Sequence, residues 1–62
     1  MEYEIEDKVW YKGKKCIIAD RLKQSHGGYL YALSDENGKD VKGEIDDWWV
    51  SENRLSVRLK SD

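Results

Sequence analysis

Apolar side chains recur at every second position in several short stretches of this chain, and glycine or small polar residues interrupt each stretch. Period-two alternation marks a half-buried β-strand, because successive side chains of an extended backbone point to opposite faces. Lys8 to Tyr11 predicts a first strand and Lys14 to Asp20 or Leu22 a longer second one, with Lys12-Gly13 as a two-residue turn between them. Such a turn sets the register, placing Val9 opposite Cys16 and Tyr11 opposite Lys14. Val9, Cys16 and Ile18 then share one face, the expected core side. Trp10, Lys15 and Ile17 share the other. Residues 21–28, RLKQSHGG, read as a polar loop whose two terminal glycines tolerate positive φ.

Tyr29 to Ser34 predicts a third strand, with Tyr31 and Leu33 inward and Leu30 and Ala32 on the opposite face. Asp35-Glu36-Asn37-Gly38 is the clearest turn, since Asn-Gly suits both central positions of a tight reversal and the preceding acid can bond to turn amides. Lys39 to Glu44 returns as a polar hairpin arm or a distal loop. Ile45 to Val50 predicts a further strand, with Trp48 and Val50 on one face and Asp47 and Trp49 on the other. Ser51-Glu52-Asn53-Arg54 suits a single 3₁₀ turn at a sharp corner. Leu55, Val57 and Leu59 then alternate with Ser56, Arg58 and Lys60 as a final half-buried strand.

That makes five short strands around a core of Val9, Ile18, Tyr31, Leu33, Val50 and Val57. No window shows a helical apolar period over three turns, so a helical bundle is not expected. The fold class is all-β, a small five-stranded barrel with a 3₁₀ turn before the last strand. Residues 1–62 are expected to form a single domain. Within it Glu2, Glu4 and Glu6 alternate with Tyr3 and Ile5, which makes residues 1–7 an added edge strand or a flexible arm.

With 62 residues in all, only one small core fits, and little stability is left over for buried polar machinery. The single cysteine, Cys16, has no disulfide partner and no second thiol for a zinc site, and its strand setting predicts a buried, inert thiol. The acidic start and the lack of an apolar run of ~20 residues give no sign of a signal peptide or membrane span, so a soluble cytoplasmic protein with no membrane association is expected. The formal net charge of -2 disfavours strong non-specific attraction to nucleic acid. Lys12-Gly13-Lys14-Lys15 is the one tight basic cluster.

The stretch Trp48-Trp49-Val50-Ser51-Glu52-Asn53-Arg54-Leu55 resembles the end of SH3 domains. There an apolar residue, a proline, any residue, an asparagine, a tyrosine and a valine run from the fourth strand through a 3₁₀ turn into the fifth. Val50, Asn53 and Leu55 match the apolar, asparagine and final apolar positions. Ser51 stands where the groove proline would be, and Arg54 where the groove tyrosine would be. The early alanine, leucine, tyrosine, aspartate, tyrosine signature is absent. The resemblance is therefore to the wider group of SH3-like barrels, including compact bacterial and phage versions, and not to the eukaryotic domains that bind proline-rich peptides. That group hosts peptide, protein, RNA and DNA binding, so the fold alone assigns no function.

With three Trp and four Tyr, a core this small cannot hide every aromatic ring. Trp49 is expected outside, near Arg54, as an aromatic anchor beside a guanidinium. Capping of the barrel end is the plain alternative. Trp10 and Ile17 suggest an apolar patch for a partner or a homodimer, or a surface covered by Tyr3 and Ile5. The expected function is a non-enzymatic protein-binding module, acting on a larger protein as an accessory or inhibitory factor. The alternative is nucleic-acid binding, with Lys12, Lys14 and Lys15 on phosphates and a base stacked on Trp10 or Tyr11. His26 lies in a polar loop without the oriented partners that catalysis needs. Glu44, Asp46 and Asp47 match no calcium-loop pattern, so no metal, no cofactor and no catalytic residue is expected.

Overall fold

Tight reversals at left-handed backbone positions cut the chain into strands. In the computed structural model, residues 2–57 are described. They form an all-β structure of β1 (Lys8–Tyr11), β2 (Lys14–Lys23), β3 (Tyr29–Ser34), β4 (Asp40–Val41), β5 (Trp49–Ser51) and a 3₁₀ turn, Glu52–Arg54. Lys12 and Gly13 adopt φ of 51° and 79° and reverse the chain between β1 and β2. This is the mirror-image turn that matches strand twist. It produces the expected register, Val9 opposite Cys16 and Tyr11 opposite Lys14. The hairpin between β3 and β4 reverses at Gly38, where φ is 83°. There the Asp35 carboxylate accepts the backbone N–H groups of Asn37 at 2.8 Å and Lys39 at 2.9 Å.

All pairings are antiparallel, in the order β1-β2-β3-β4, and β5 also pairs with β3. β4 lies opposite Leu33 and Ser34, while β5 lies opposite Leu30 to Ala32, so the two run end to end along one side of β3. A bulge between Ile18 and Asp20 shifts the β2–β3 register. It keeps Ile18 inward and lets Arg21 follow it to the same side, opposite Tyr31. The core is built from Tyr3, Val9, Tyr11, Cys16, Ile18, Tyr31, Leu33, Val50 and Leu55. It contains no buried charged side chain among the described residues.

The segment before β1 is tied down by polar bonds. Tyr3 donates its N–H to the Tyr31 hydroxyl at 2.9 Å, and the two rings meet edge to face with centroids 5.4 Å apart. Arg21 donates from Nη1 to the Tyr3 carbonyl at 2.9 Å. Glu6 N–H bonds the Ile18 carbonyl, and Ile18 N–H bonds the Asp7 carbonyl. Tyr3 therefore enters the main core and does not cover Trp10, and Ile5 stays exposed.

Four expectations are corrected by this arrangement. Ile45 to Val50 is not one strand: Asp46 and Asp47 both take positive φ, 56° and 57°, and reverse the chain before β5. Trp48 closes that reversal through Trp48 N–H to Ile45 carbonyl, instead of joining Val50 inside. Val57 is 49% exposed and does not belong to the core, which seals on Leu55 instead. The final strand is represented by Ser56, which exchanges two backbone bonds with Trp10, and its expected continuation over residues 58–60 lies outside the described residues. The sheet is accordingly not closed into a barrel among the described residues, because closure needs a continuous ladder back to β1 and a single residue pair supplies the contact.

Candidate functional site

The pairing register assigns the side of the sheet away from the core. Lys8, Ile17, Ser34 and Asp40 form one lateral row, followed by Asp20, Ala32 and Trp49, then by Leu22, Leu30 and Ser51. An outer sheet face is ordinarily polar, yet Ala32 is fully buried and Leu30 is only 7% exposed. Neither belongs to the main core cluster. They are the floor of a second apolar surface, bordered by Trp49 directly across from Ala32 and by Leu22, which is 46% exposed.

Trp49 is half-buried, and its ring partner is Trp48, edge to face with centroids 6.3 Å apart. The backbone beneath these indoles is tightly constrained. Glu44 and Ile45 both donate their N–H groups to the Trp49 carbonyl, so two residues oppose one in a β-bulge. Gly43 packs so closely there that a Cβ would lie 2.4 Å from the Trp48 carbonyl carbon and 2.7 Å from the Trp49 nitrogen. The sequence requires glycine at this position for close approach, not for an unusual φ.

Arg54 does not join Trp49. Its Nε and Nη2 reach Glu44 Oε2 at 3.2 and 3.1 Å, and the Tyr11 hydroxyl donates to the same oxygen at 2.7 Å. This cluster ties the loop before β5 to β1 and to the 3₁₀ turn. The Tyr11 bond, assisted by the Arg54 guanidinium and opposed by desolvation, holds the Glu44 carboxyl below its ordinary range. Burial, and then the bond to Glu44, pushes the Tyr11 phenol up. No local pattern signals the cluster, since Tyr11 and Glu44 are 33 residues apart and Glu44 and Arg54 are 10 apart.

The other candidates are dispersed. Trp10 is half-buried on β1 and bonded through its backbone to Ser56. Tyr11 is buried beneath Lys12, whose Nζ is 5.4 Å from the ring centroid, so Tyr11 has no open face on which a base could stack. Lys14 and Lys15 line an open hollow of about 290 Å³ with Asp35, Glu36 and Asn37, and Lys15 is ion-paired to Glu36 at 3.8 Å. His26 is exposed in the β2–β3 loop. Cys16 is sealed in the core, where burial pushes its thiol up. Glu44 turns to Tyr11 and Arg54, whereas Asp46 and Asp47 sit exposed at the turn, so the three carboxylates do not converge on one point.

Among the described residues, no helix is long and apolar enough to cross a membrane. Comparison with known proteins finds no matching family model, curated sequence or solved structure.

Proposed function

We propose that this chain is a non-enzymatic protein-binding module of the SH3-like small-barrel kind, acting on a larger protein as an accessory or inhibitory factor. The observation that carries the reading is the second apolar surface, where half-buried Trp49 lies across from Ala32 beside Leu30 and packs against the Trp48 ring on a constrained backbone. Rigid aromatic rings over an apolar floor offer contact area with little side-chain entropy left to lose, which is how a few residues come to dominate an interface. Trp49 is the anchor in this reading. Arg54 acts by holding the loop through Glu44, and Trp10 lies at the β1 end of the same face. The 3₁₀ turn after β5 and the Trp10–Ser56 bridge agree with an SH3-like course of the chain.

Nucleic-acid binding through Lys12, Lys14 and Lys15 has weaker support, because Tyr11 is buried and Lys15 is already paired with Glu36. The test is affinity capture from the native cell extract with wild type, Trp49→Ala and a Lys12, Lys14, Lys15 triple alanine variant, each first checked for a folded NMR spectrum. A protein retained by wild type and by the triple variant but lost by folded Trp49→Ala is the expected result. Retention by Trp49→Ala would overturn this site.

A further inference from the structure

The carboxylates around the Trp48–Trp49 surface have few internal partners. Asp20 shares the lateral row of Ala32 and Trp49, and among the described residues its carboxylate bonds only the adjacent Arg21 N–H, at 2.8 Å. Asp40 lies on the same outer face, one row away, and Asp46 occupies the exposed turn that leads into the two indoles. Neither Asp40 nor Asp46 has an ion pair or hydrogen-bond partner through its carboxylate among the described residues. Asp47 meets Lys42 at 3.9 Å, with both side chains more than three-quarters exposed.

Lys42 is the cation of this turn and is engaged by Asp47, while both described arginines are committed elsewhere. Arg54 is held by Glu44, and Arg21 turns to the core side, where it meets Glu4, the Tyr3 carbonyl and the Tyr29 ring. The lysines of the outer face, Lys8 and Lys15, lie on β1 and the part of β2 that pairs with it, and Lys15 is engaged by Glu36. The result is a pair of half-buried indoles beside carboxylates that, among the described residues, lack ion-pair partners. Both features favour the same visitor, since a cation gains from an aromatic face and from nearby carboxylates together.

We infer that the partner segment docking on Trp48 and Trp49 is basic, presenting a Lys or Arg side chain to the indoles and pairing with Asp20, Asp40 and Asp46. This inference rests on the reading of the chain as a protein-binding module and narrows the class of its partner. An Arg guanidinium fits best, being planar, weakly hydrated and able to stack and to bond carboxylates in one pose.

The test is selection of a displayed random dodecapeptide library on the folded wild-type chain, with counter-selection on Trp49→Ala. Enriched peptides are then assayed against the triple variant Asp20→Asn, Asp40→Asn, Asp46→Asn, its fold confirmed by NMR. The expected outcome is a Lys- or Arg-containing set whose affinity falls about tenfold or more on neutralising the three aspartates and declines with added salt. Trp49-dependent peptides that are neutral or acidic, or that bind the triple variant unchanged, would overturn the basic-partner inference and leave the module reading intact. If no Trp49-dependent peptide is enriched, the module reading fails and the inference fails with it.

Discussion

At the scale of single residues, Gly43 and Glu44 govern how the tryptophan loop is held. A methyl group at position 43 would collide with the backbone of Trp48 and Trp49, neither of which can yield without breaking the bulge. Gly43→Ala should cost roughly 1–3 kcal/mol, the usual range for overpacking. The same variant should shift both the urea midpoint and the Trp48 and Trp49 indole NMR signals. Gly38 has open space and needs only a residue that tolerates positive φ, so Gly38→Asn should change the midpoint little. Glu44 gives a pH prediction with a definite sign. Its folded-state carboxyl titrates below the ordinary range, so its contribution is complete above that range and is lost as pH falls through the depressed value. Tyr11→Phe removes the largest cause of the depression. NMR titration should then show the Glu44 carboxyl moving back up, and stability should become less sensitive to acid.

At the scale of elements, the chain announces its strands well wherever turn chemistry is conventional. Lys12-Gly13 and Asn37-Gly38 place glycine in the left-handed region, and the strands that lead into them, β1 and β3, start and end where the alternation indicates. Asp46-Asp47 misleads because aspartate enters that region less readily than glycine or asparagine, and the flanking apolar residues continue a plausible strand pattern through the turn. The physical reason the turn forms is tertiary: the close packing at Gly43 and the bonds of Glu44 to Tyr11 and Arg54 fix both ends of the loop. The outward placement of Trp49 was legible from its parity with Val50. Its separation from Arg54 was not, since the guanidinium answers to a carboxylate ten residues away. Val57 shows the converse, apolar alternation that continues past Leu55, the last core residue among those described.

At the scale of the whole molecule, one small core carries the stability, so a single cavity matters. Ile18 is fully buried, and Ile18→Ala should cost roughly 2–5 kcal/mol. That is a large share of the roughly 5–15 kcal/mol available to a folded domain. Ile18→Val should lose only about 0.5–1.5 kcal/mol and remain folded. Denaturant unfolding of the two variants, followed by tryptophan fluorescence, checks both, and equal losses would mean that Ile18 does not fill the centre. The sealed Cys16 gives the molecule a built-in clock. As the sole thiol in the chain, shielded by the packed sheet, it can be alkylated by a maleimide only when the fold opens. The rate at which a maleimide consumes it would therefore count opening events in the native population, without any label added to the surface that meets a partner.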